Sequence, residues 1–247
     1  SAAQAGQPIQ LFCGSWKAIN HSIVVHADSD IPTADEVGWE QVAEELEGTT
    51  IGVAAIGSNS QRWVEQMMSE AGADPSSIDF VQAGAGAASI EPLNQGTVDA
   101  VASYPWFTEQ FETMGVGKAV VVYSDNGPES FSDQQQNSWV APQEWLEANP
   151  ETAAAYCDAI DDANQFIADE ANAEQVADVL RGEFGLDDDE LIEALLAEGG
   201  ALDLLDVGIS CSGLENTLDF LVETDQLDAS DELSCDALIW DDAPRAD

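Results

Sequence analysis

Basic residues are scarce in this chain of 247 residues, which has 5 Lys and Arg against 49 Asp and Glu and a formal net charge of −44. A nucleic-acid duplex is bound by enough Lys and Arg to replace its condensed counterions. The five basic residues are scattered along the chain, so we expect no nucleic-acid partner. An anionic membrane surface is disfavoured on the same grounds.

Long apolar runs are also missing. No stretch approaches the roughly 20 apolar residues that span a bilayer. The start, SAAQAGQPIQ, has neither the basic nor the apolar region of a signal peptide, so we expect any targeting segment to be absent from this chain. Hydrophobic residues still make up 45% of the chain and seven are Trp, which is enough to form a core in one large or two modest domains.

Cysteine is rare, and the four cysteines allow two disulfides in three connectivities. Cys211 and Cys235 lie in polar, loop-like surroundings and are predicted to pair. Cys13 lies in an apolar strand-like run and Cys157 on a helix face, where buried free thiols are at least equally expected. None of the four has the C-x-x-C spacing of a zinc site.

Groups suited to catalysis or metal binding are few. His21 and His26 are an odd number of positions apart in one strand, so they face opposite sides and cannot share a metal. No Ser, His and acid constellation suggests a hydrolase, and carboxylates are too abundant for any pair to stand out. We therefore expect no metal and no cofactor.

Short strands alternate with helices in the middle of the chain. The predicted strands are 51–56, 78–84, 98–105 and 118–124, with a helix at 58–71 ended by Gly72 and a short helix ended by Gly96. This order predicts an α/β fold with a parallel sheet and right-handed crossovers.

The flanking regions have a different pattern. Before residue 48, IQLFCGSW and HSIVVHAD are predicted to be two strands joined by a polar loop. After residue 127, a brief strand NSWVAP leads into helices, and DDDELIEALL begins with acids that suit a helix N-terminus. The helix from about 150 to 170 has a predicted inward stripe of Ala153, Tyr156, Cys157, Ile160, Ala163, Asn164 and Ile167.

These patterns predict two lobes. The first lobe is expected to comprise residues 1–47 and 125–247, and the second the inserted α/β unit 48–124. Two crossings between lobes form a hinge with a cleft, which is a common place for small-ligand sites.

Three motifs connect the chain to a known family. They are GTTIGV at 48–53 followed by a Gly-Ser helix start, GTVDA at 96–100, and WLEANPE at 145–151. In this order and spacing they resemble the substrate-binding proteins of ABC importers, in the nitrate, sulfonate, taurine and thiamine-precursor group. The resemblance implies a two-lobed periplasmic-binding-protein-like fold of type II. Family members begin with a further strand-helix-strand section, so the first lobe is expected to be incomplete at its N-terminus.

The resemblance also implies a function. It implies an extracytoplasmic, periplasmic or lipid-anchored cell-surface protein, a monomer, that closes on a small anionic solute and presents it to the permease transmembrane subunits. One alternative is an enzyme on the same scaffold, of the thiamine-precursor synthase or menaquinone-pathway type. Lys17 and Lys118 are poorly placed for its catalytic lysine, although Lys17, beside Trp16, stays open for that role. Another is the effector domain of a regulator, which would need a basic helix-turn-helix upstream.

Gly57, Ser58, Asn59 and Ser60 are the best candidate ligand residues, because they lie between a strand end and a helix N-terminus. Backbone N–H groups and small hydroxyls there can hold an anion, whereas the simpler interpretation is that Ser58 or Ser60 only caps the helix. Arg62 follows in the first turn and could bind a carboxylate or sulfonate bidentately, or form a solvated ion pair.

A second group of candidates follows other strand ends. Gly84 and Gly86 could let the backbone approach a ligand closely, or simply form a tight turn. Trp16, Tyr104 and Trp106 could stack on a planar or cationic ligand, although core packing is the usual role of such residues.

Salt dependence of stability follows from the charge. Self-repulsion at −44 destabilises the compact state, and it weakens as the Debye length shrinks from about 10 Å at 0.1 M salt to about 3 Å at 1 M. The sequence therefore indicates a salt-adapted protein or a very acidic proteome. We expect the melting temperature to rise along a KCl or NaCl series. Equal or lower stability at molar salt than in dilute buffer would contradict this adaptation.

Overall fold

The computed structural model describes residues 6–104, 107–184, 186–197, 201–224, 226–228 and 233–246. The chain divides into two compact units. Unit 1 comprises residues 1–19, 133–185 and 202–247, and unit 2 comprises residues 20–132 and 186–201. In the described ranges, each helix is too short or too polar to cross a membrane.

Strands and helices alternate through most of the described chain. The strands are β1 (Ile9–Trp16), β2 (Ser22–His26), β3 (Thr50–Val53), β4 (Asp79–Gln82), β5 (Ala100–Ser103), β6 (Gly117–Val122) and β7 (Asn137–Pro142). The α-helices are α1 (Ala34–Val37), α2 (Trp39–Glu45), α3 (Asn59–Ala71), α4 (Ile90–Asn94), α5 (Phe107–Thr113), α6 (Glu129–Ser132), α7 (Gln143–Ala148), α8 (Pro150–Ala168), α9 (Ala173–Phe184), α10 (Asp189–Leu196), α11 (Cys211–Glu223) and α12 (Cys235–Leu238).

A five-stranded sheet in the order β4-β3-β5-β2-β6 forms the centre of unit 2. β3 runs parallel to β4 and β5, whereas β2 runs antiparallel to both β5 and β6. It follows that β3, β4, β5 and β6 all point in one direction and that β2 is reversed. The predicted α/β class and the parallel pairing are confirmed. The sheet packs on a core that includes Val24, Leu93, Val98, Val101 and Phe111.

Helix α3 shows how the pattern of unit 2 determines its local structure. Trp63, Val64, Met67 and Met68 recur at the spacing of one helical face, and all four are buried. The helix ends where Gly72 takes a left-handed conformation with φ of 79°, as a C-terminal glycine commonly does. The helix predicted over 58–71 is therefore confirmed.

Unit 1 contains β1 and β7, paired antiparallel, together with α7, α8, α9, α11 and α12. Ile9 lies opposite Pro142, and Trp16 opposite Asn137. Its core consists of Phe12, Cys13, Leu146, Ala153, Cys157, Ile209, Leu214, Cys235, Ile239, Trp240 and Ala243.

The predicted disulfide between Cys211 and Cys235 is present, with 5.5 Å between the two Cα atoms. These residues are the first of α11 and α12, so the bond ties together the starts of two helices. Cys13 and Cys157 are buried and free.

The unit boundaries differ from the expected divisions at 47/48 and 124/125. The two strands predicted before residue 48 are present as β1 and β2, but they belong to different units, because β1 pairs with β7 and β2 enters the unit 2 sheet. The residues of β2 from Ser22 to Val25 are all buried, as suits a strand covered on both faces. Residues 186–201 also belong to unit 2, where α10 packs against α5.

Two local predictions also need correction. The strand expected over 51–56 ends at Val53, because the following residues form the turn into α3, where Ile56 is exposed. In the predicted inward stripe of α8, only Ala153 and Cys157 are buried. The helix meets β1 at this point, and Tyr156 beside them is partly exposed.

The close packing at Gly52 in β3 can be tested. A Cβ at this position would lie 2.6 Å from the Cβ of Ala83 and 3.1 Å from Cγ1 of Val101. We expect Gly52→Ala to destabilise the protein by about 1–3 kcal/mol, since the Cβ of Ala83 moves only with its backbone. Urea unfolding at constant KCl measures the change.

The matched control is Gly182→Ala. Gly182 lies in α9, and no atom would lie within 4 Å of an added Cβ. Alanine favours a helix by about 0.5–1 kcal/mol over glycine, so the control should be neutral or stabilising. If Gly52→Ala were as stable as Gly182→Ala, the packing described for β3 would be wrong.

Candidate functional site

The carboxyl ends of the parallel strands meet at one edge of the unit 2 sheet. β3 ends at Val53, β4 at Gln82, β5 at Ser103 and β6 at Val122. Because β2 runs the opposite way, its amino end, preceded by His21, lies at the same edge. Ligands of open α/β sheets bind outside the carboxyl ends of the strands, so this edge is the candidate site.

The turn between β3 and α3 uses part of its own hydrogen-bonding capacity. The N–H of Gly57, at φ of 78°, donates to Oε1 of Gln61 at 2.8 Å. The N–H groups of Gln61 and Arg62 both donate to the carbonyl of Ser58. Asn59 and Ser60 open the helix, where N–H groups have no carbonyl one turn earlier to bond. Of the backbone N–H groups in this loop, those of Asn59 and Ser60 are therefore the candidates to donate to an anion.

The hydroxyls of Ser58 and Ser60 form a pair, 2.9 Å apart. Ser58 occupies the N-cap position, but its side chain makes no capping bond to a backbone N–H. The interpretation of Ser58 as a plain helix cap therefore does not describe this structure. Ser60 is buried. Because a hydroxyl both donates and accepts, one O–H of the pair remains available to a ligand.

Arg62 supplies positive charge close to this pair. It lies half-buried in the first turn of α3, and the other basic residue of unit 2 is Lys118. Lys118 is near the amino end of β6, and thus at the opposite edge of the sheet. Positive charge and the helix N-terminus are therefore combined on one side of the sheet.

The loop after β4 is shaped by its glycines. Gly86 is buried with φ of 60°, and a Cβ there would lie 2.6 Å from the ring of Phe107. The Ser89 hydroxyl donates to the carbonyl of Gly86 at 2.7 Å. Gly84 also has a left-handed φ, and an added Cβ would lie 2.8 Å from the Cβ of Ala88. Packing explains both glycines, and their contact with a ligand stays a prediction.

An aromatic cluster connects three of the chain segments at this edge. The ring of His21 lies 4.4 Å from that of Trp63 in α3 and 4.7 Å from that of Tyr104 after β5. Tyr104 also contacts Phe107, with 6.2 Å between centroids. Burial lowers the pKa of His21 to about 3, so its imidazole is neutral near pH 7. It is a polar but uncharged group at this edge of the sheet.

Two residues with hydroxyl side chains at this edge were not predicted from the sequence. Ser22 and Thr108 are buried, with their hydroxyl oxygens 2.5 Å apart. The Thr108 hydroxyl also lies 3.2 Å from the carbonyl oxygen of Tyr104. They are far apart in sequence, and only the sheet brings them together.

Two predicted site residues remain, Trp16 and Trp106. Trp16 ends β1 in unit 1, where its carbonyl accepts from Nε2 of Gln135 at 3.3 Å. Trp106 lies outside the described residues. The described parts of the chain contain no group of three or more His, Cys, Asp and Glu side chains that could hold a metal ion.

A family model described as NMT1/THI5 like matches residues 1–173, which is more than half of the chain. The chain belongs to the NMT1/THI5-like family. This confirms the family resemblance inferred from the three motifs. A search of curated proteins found no match to this family member.

Solved structures show the fold of this NMT1/THI5-like chain. A protein of Bordetella bronchiseptica RB50 is 25% identical, with a TM-score of 0.67 over 90% of this chain and 68% of its own. The alkanesulfonate-binding protein SsuA of Xanthomonas axonopodis pv. citri, bound to MOPS, is 16% identical, with a TM-score of 0.72 over 97% and 76%. The periplasmic aliphatic sulphonate-binding protein SsuA of Escherichia coli is 18% identical, with a TM-score of 0.67 over 98% and 72%. The type II periplasmic-binding-protein fold is therefore confirmed.

The burial of His21 predicts a specific pH dependence of stability. Its pKa is about 3 when folded and 6.5 ordinarily, so between these values the unfolded chain binds a proton that the folded chain does not. This contribution to stability is complete above about pH 6.5 and is lost as the pH falls.

We expect His21→Phe to remove this loss. From about pH 7 to pH 5, its free energy of unfolding should fall by about 2 kcal/mol less than that of the unsubstituted protein. Urea unfolding of both proteins at the two pH values and equal salt measures the difference. Both proteins contain the same Asp and Glu residues, so the effect of carboxylate titration on stability cancels in the comparison. Equal losses would show that His21 is not buried as a neutral group.

Proposed function

We propose that the chain is the extracytoplasmic solute-binding component of an ABC importer and that it binds a small anionic solute at the carboxyl edge of the unit 2 sheet. The observation that carries the proposal is the Ser58 and Ser60 hydroxyl pair at the N-terminus of α3, where no capping bond uses the Ser58 side chain. Membership of the NMT1/THI5-like family supports it. The named sulfonate-binding relatives, one with MOPS bound, support an anionic ligand.

Short-range donors suit a protein with this charge. A net charge of −44 repels anions at long range, so the attraction must come from groups that touch the solute. A helix N-terminus contributes about 0.3–1 kcal/mol to binding an anion, and up to ~2 when partly buried. Salt screens the repulsion, and the solute can then reach the neutral donors and Arg62.

The proposed role involves binding and release without covalent chemistry. The alternative of an enzyme on this scaffold needs a lysine or catalytic acid at the site, and Lys118 lies at the opposite edge of the sheet. We propose further that the protein acts as a monomer, outside the cytoplasm, and passes its solute to the permease transmembrane subunits. Closure about a hinge stays a prediction.

The double variant Ser58→Ala with Ser60→Ala tests the site. A thermal-shift screen of nitrate, sulfonates, carboxylates and pyrimidines at high salt first identifies the anion that stabilises the protein most. The double variant should then bind that anion at least tenfold more weakly, because a hydrogen bond to a charged group contributes about 1.5–3 kcal/mol. Calorimetry at constant chloride measures the affinity.

Ser69→Ala is the matched control, because Ser69 lies in the last turns of the same helix and its hydroxyl donates to the carbonyl of Glu65 at 2.9 Å. Its affinity should equal that of the unsubstituted protein. Unchanged affinity in the double variant would remove Ser58 and Ser60 from the site. Stabilisation by pyrimidines alone, with none by any anion, would contradict the proposed ligand class.

A further inference from the structure

Two free cysteines of unit 1 lie together in its core. Cys13, in β1, is fully buried, and Cys157, in α8, is almost so. Sγ of Cys157 lies 3.2 Å from the carbonyl oxygen of Phe12, the residue next to Cys13. This contact holds the Cys157 sulfur against β1 beside Cys13.

The surroundings keep the two segments in place. Tyr156, which precedes Cys157, packs its ring 5.7 Å from that of Phe12. Both cysteines belong to the core cluster that also contains Cys235 of the existing disulfide. Helix α8 packs against β1, and cysteines whose Cα atoms lie within about 7 Å of each other can be bridged by a disulfide.

We propose that Cys13 and Cys157 form a second disulfide, which links β1 to α8, when the chain folds under oxidising conditions. The bond would join segments far apart in sequence within one core, and cross-links that close long loops constrain the unfolded chain most. The inference depends on the core of unit 1 and not on the proposed function.

The chemistry requires a disulfide oxidant, such as oxidised glutathione. The thiolate of one cysteine attacks one glutathione sulfur, the glutathione S–S bond breaks, and one glutathione leaves as a thiolate. The thiolate of the other cysteine then attacks the protein sulfur of the mixed disulfide and releases the second glutathione. Two protein thiols are oxidised, one glutathione disulfide is reduced, and the two protons end on the released glutathiones.

The order of events follows from the environment of the thiols. Burial raises the pKa of both Cys13 and Cys157, which disfavours the reactive thiolates in the finished core. The bond therefore forms while β1 and α8 are coming together, before the core excludes the oxidant.

Peptide mapping tests the proposal on the full chain. Reduced, unfolded protein is refolded in molar KCl with oxidised and reduced glutathione, then denatured and treated with iodoacetamide without reduction. A Glu-specific protease is the right enzyme, because the chain has 49 Asp and Glu against 5 Lys and Arg. We expect no alkylated cysteine and a cross-linked peptide pair containing Cys13 and Cys157. Alkylation of both, or linkage of either to Cys211 or Cys235, would overturn the proposal.

Variants sharpen the assignment. Cys157→Ala should leave Cys13 alkylated and the Cys211–Cys235 peptide pair intact. Cys211→Ala should leave Cys235 alkylated and the Cys13–Cys157 pair intact. If the Cys13–Cys157 pair disappeared in Cys211→Ala, with Cys13 or Cys157 joined to Cys235, an independent second disulfide would be excluded. Because the peptide map of the unsubstituted chain decides the question, a variant that fails to fold does not affect the outcome.

Discussion

The pairing of β2 with β5 on one side and β6 on the other determines where the polar groups of unit 2 meet. Because this strand is reversed, its amino end joins the carboxyl ends of its neighbours. His21 therefore lies between Trp63 and Tyr104, and the start of α3 is anchored to the sheet through Trp63. If β2 ran parallel to β5, His21 and Ser22 would lie at the other edge, and the hydroxyl pair of Ser58 and Ser60 would lose this support.

The acidity of the chain and the chemistry of the candidate site are separate properties. The site consists of hydroxyls, helix N–H groups and an imidazole that burial keeps neutral. Such groups act only at contact, so the anion recognition that we propose for them depends on geometry more than on the field of the whole protein. In a protein with so few cations, Arg62 is the group that adds charge at this edge, and its effect is local.

Local patterns were predictable from the sequence, and long-range pairing was not. Helix α3 was predictable because its apolar residues repeat at helical spacing and Gly72 ends it, and the Gly57–Ser60 loop because it stands at the start of that helix. The partners of β2 were not, because an apolar run such as SIVVH suits any buried strand in either direction. Ser22 and Thr108 were not predicted for the same reason, since only the strand order brings them together beside Tyr104.

The interleaving of the two units along the chain constrains how the protein folds during synthesis. α10, in which Leu191, Ile192 and Leu195 are buried, packs against α5, yet residues 133–185 of the other unit are made first. The hydrogen-bonding partners of β1 are likewise made much later than β1 itself. They are β7 and Trp240, whose N–H donates to the carbonyl of Leu11 at 2.9 Å. Unit 2 thus remains incomplete until α10 has been made, and unit 1 until Trp240 has been made, so nascent chains expose apolar surface until then. The net charge of −44 destabilises the folded protein through self-repulsion. The same repulsion between chains opposes the aggregation of unfinished chains.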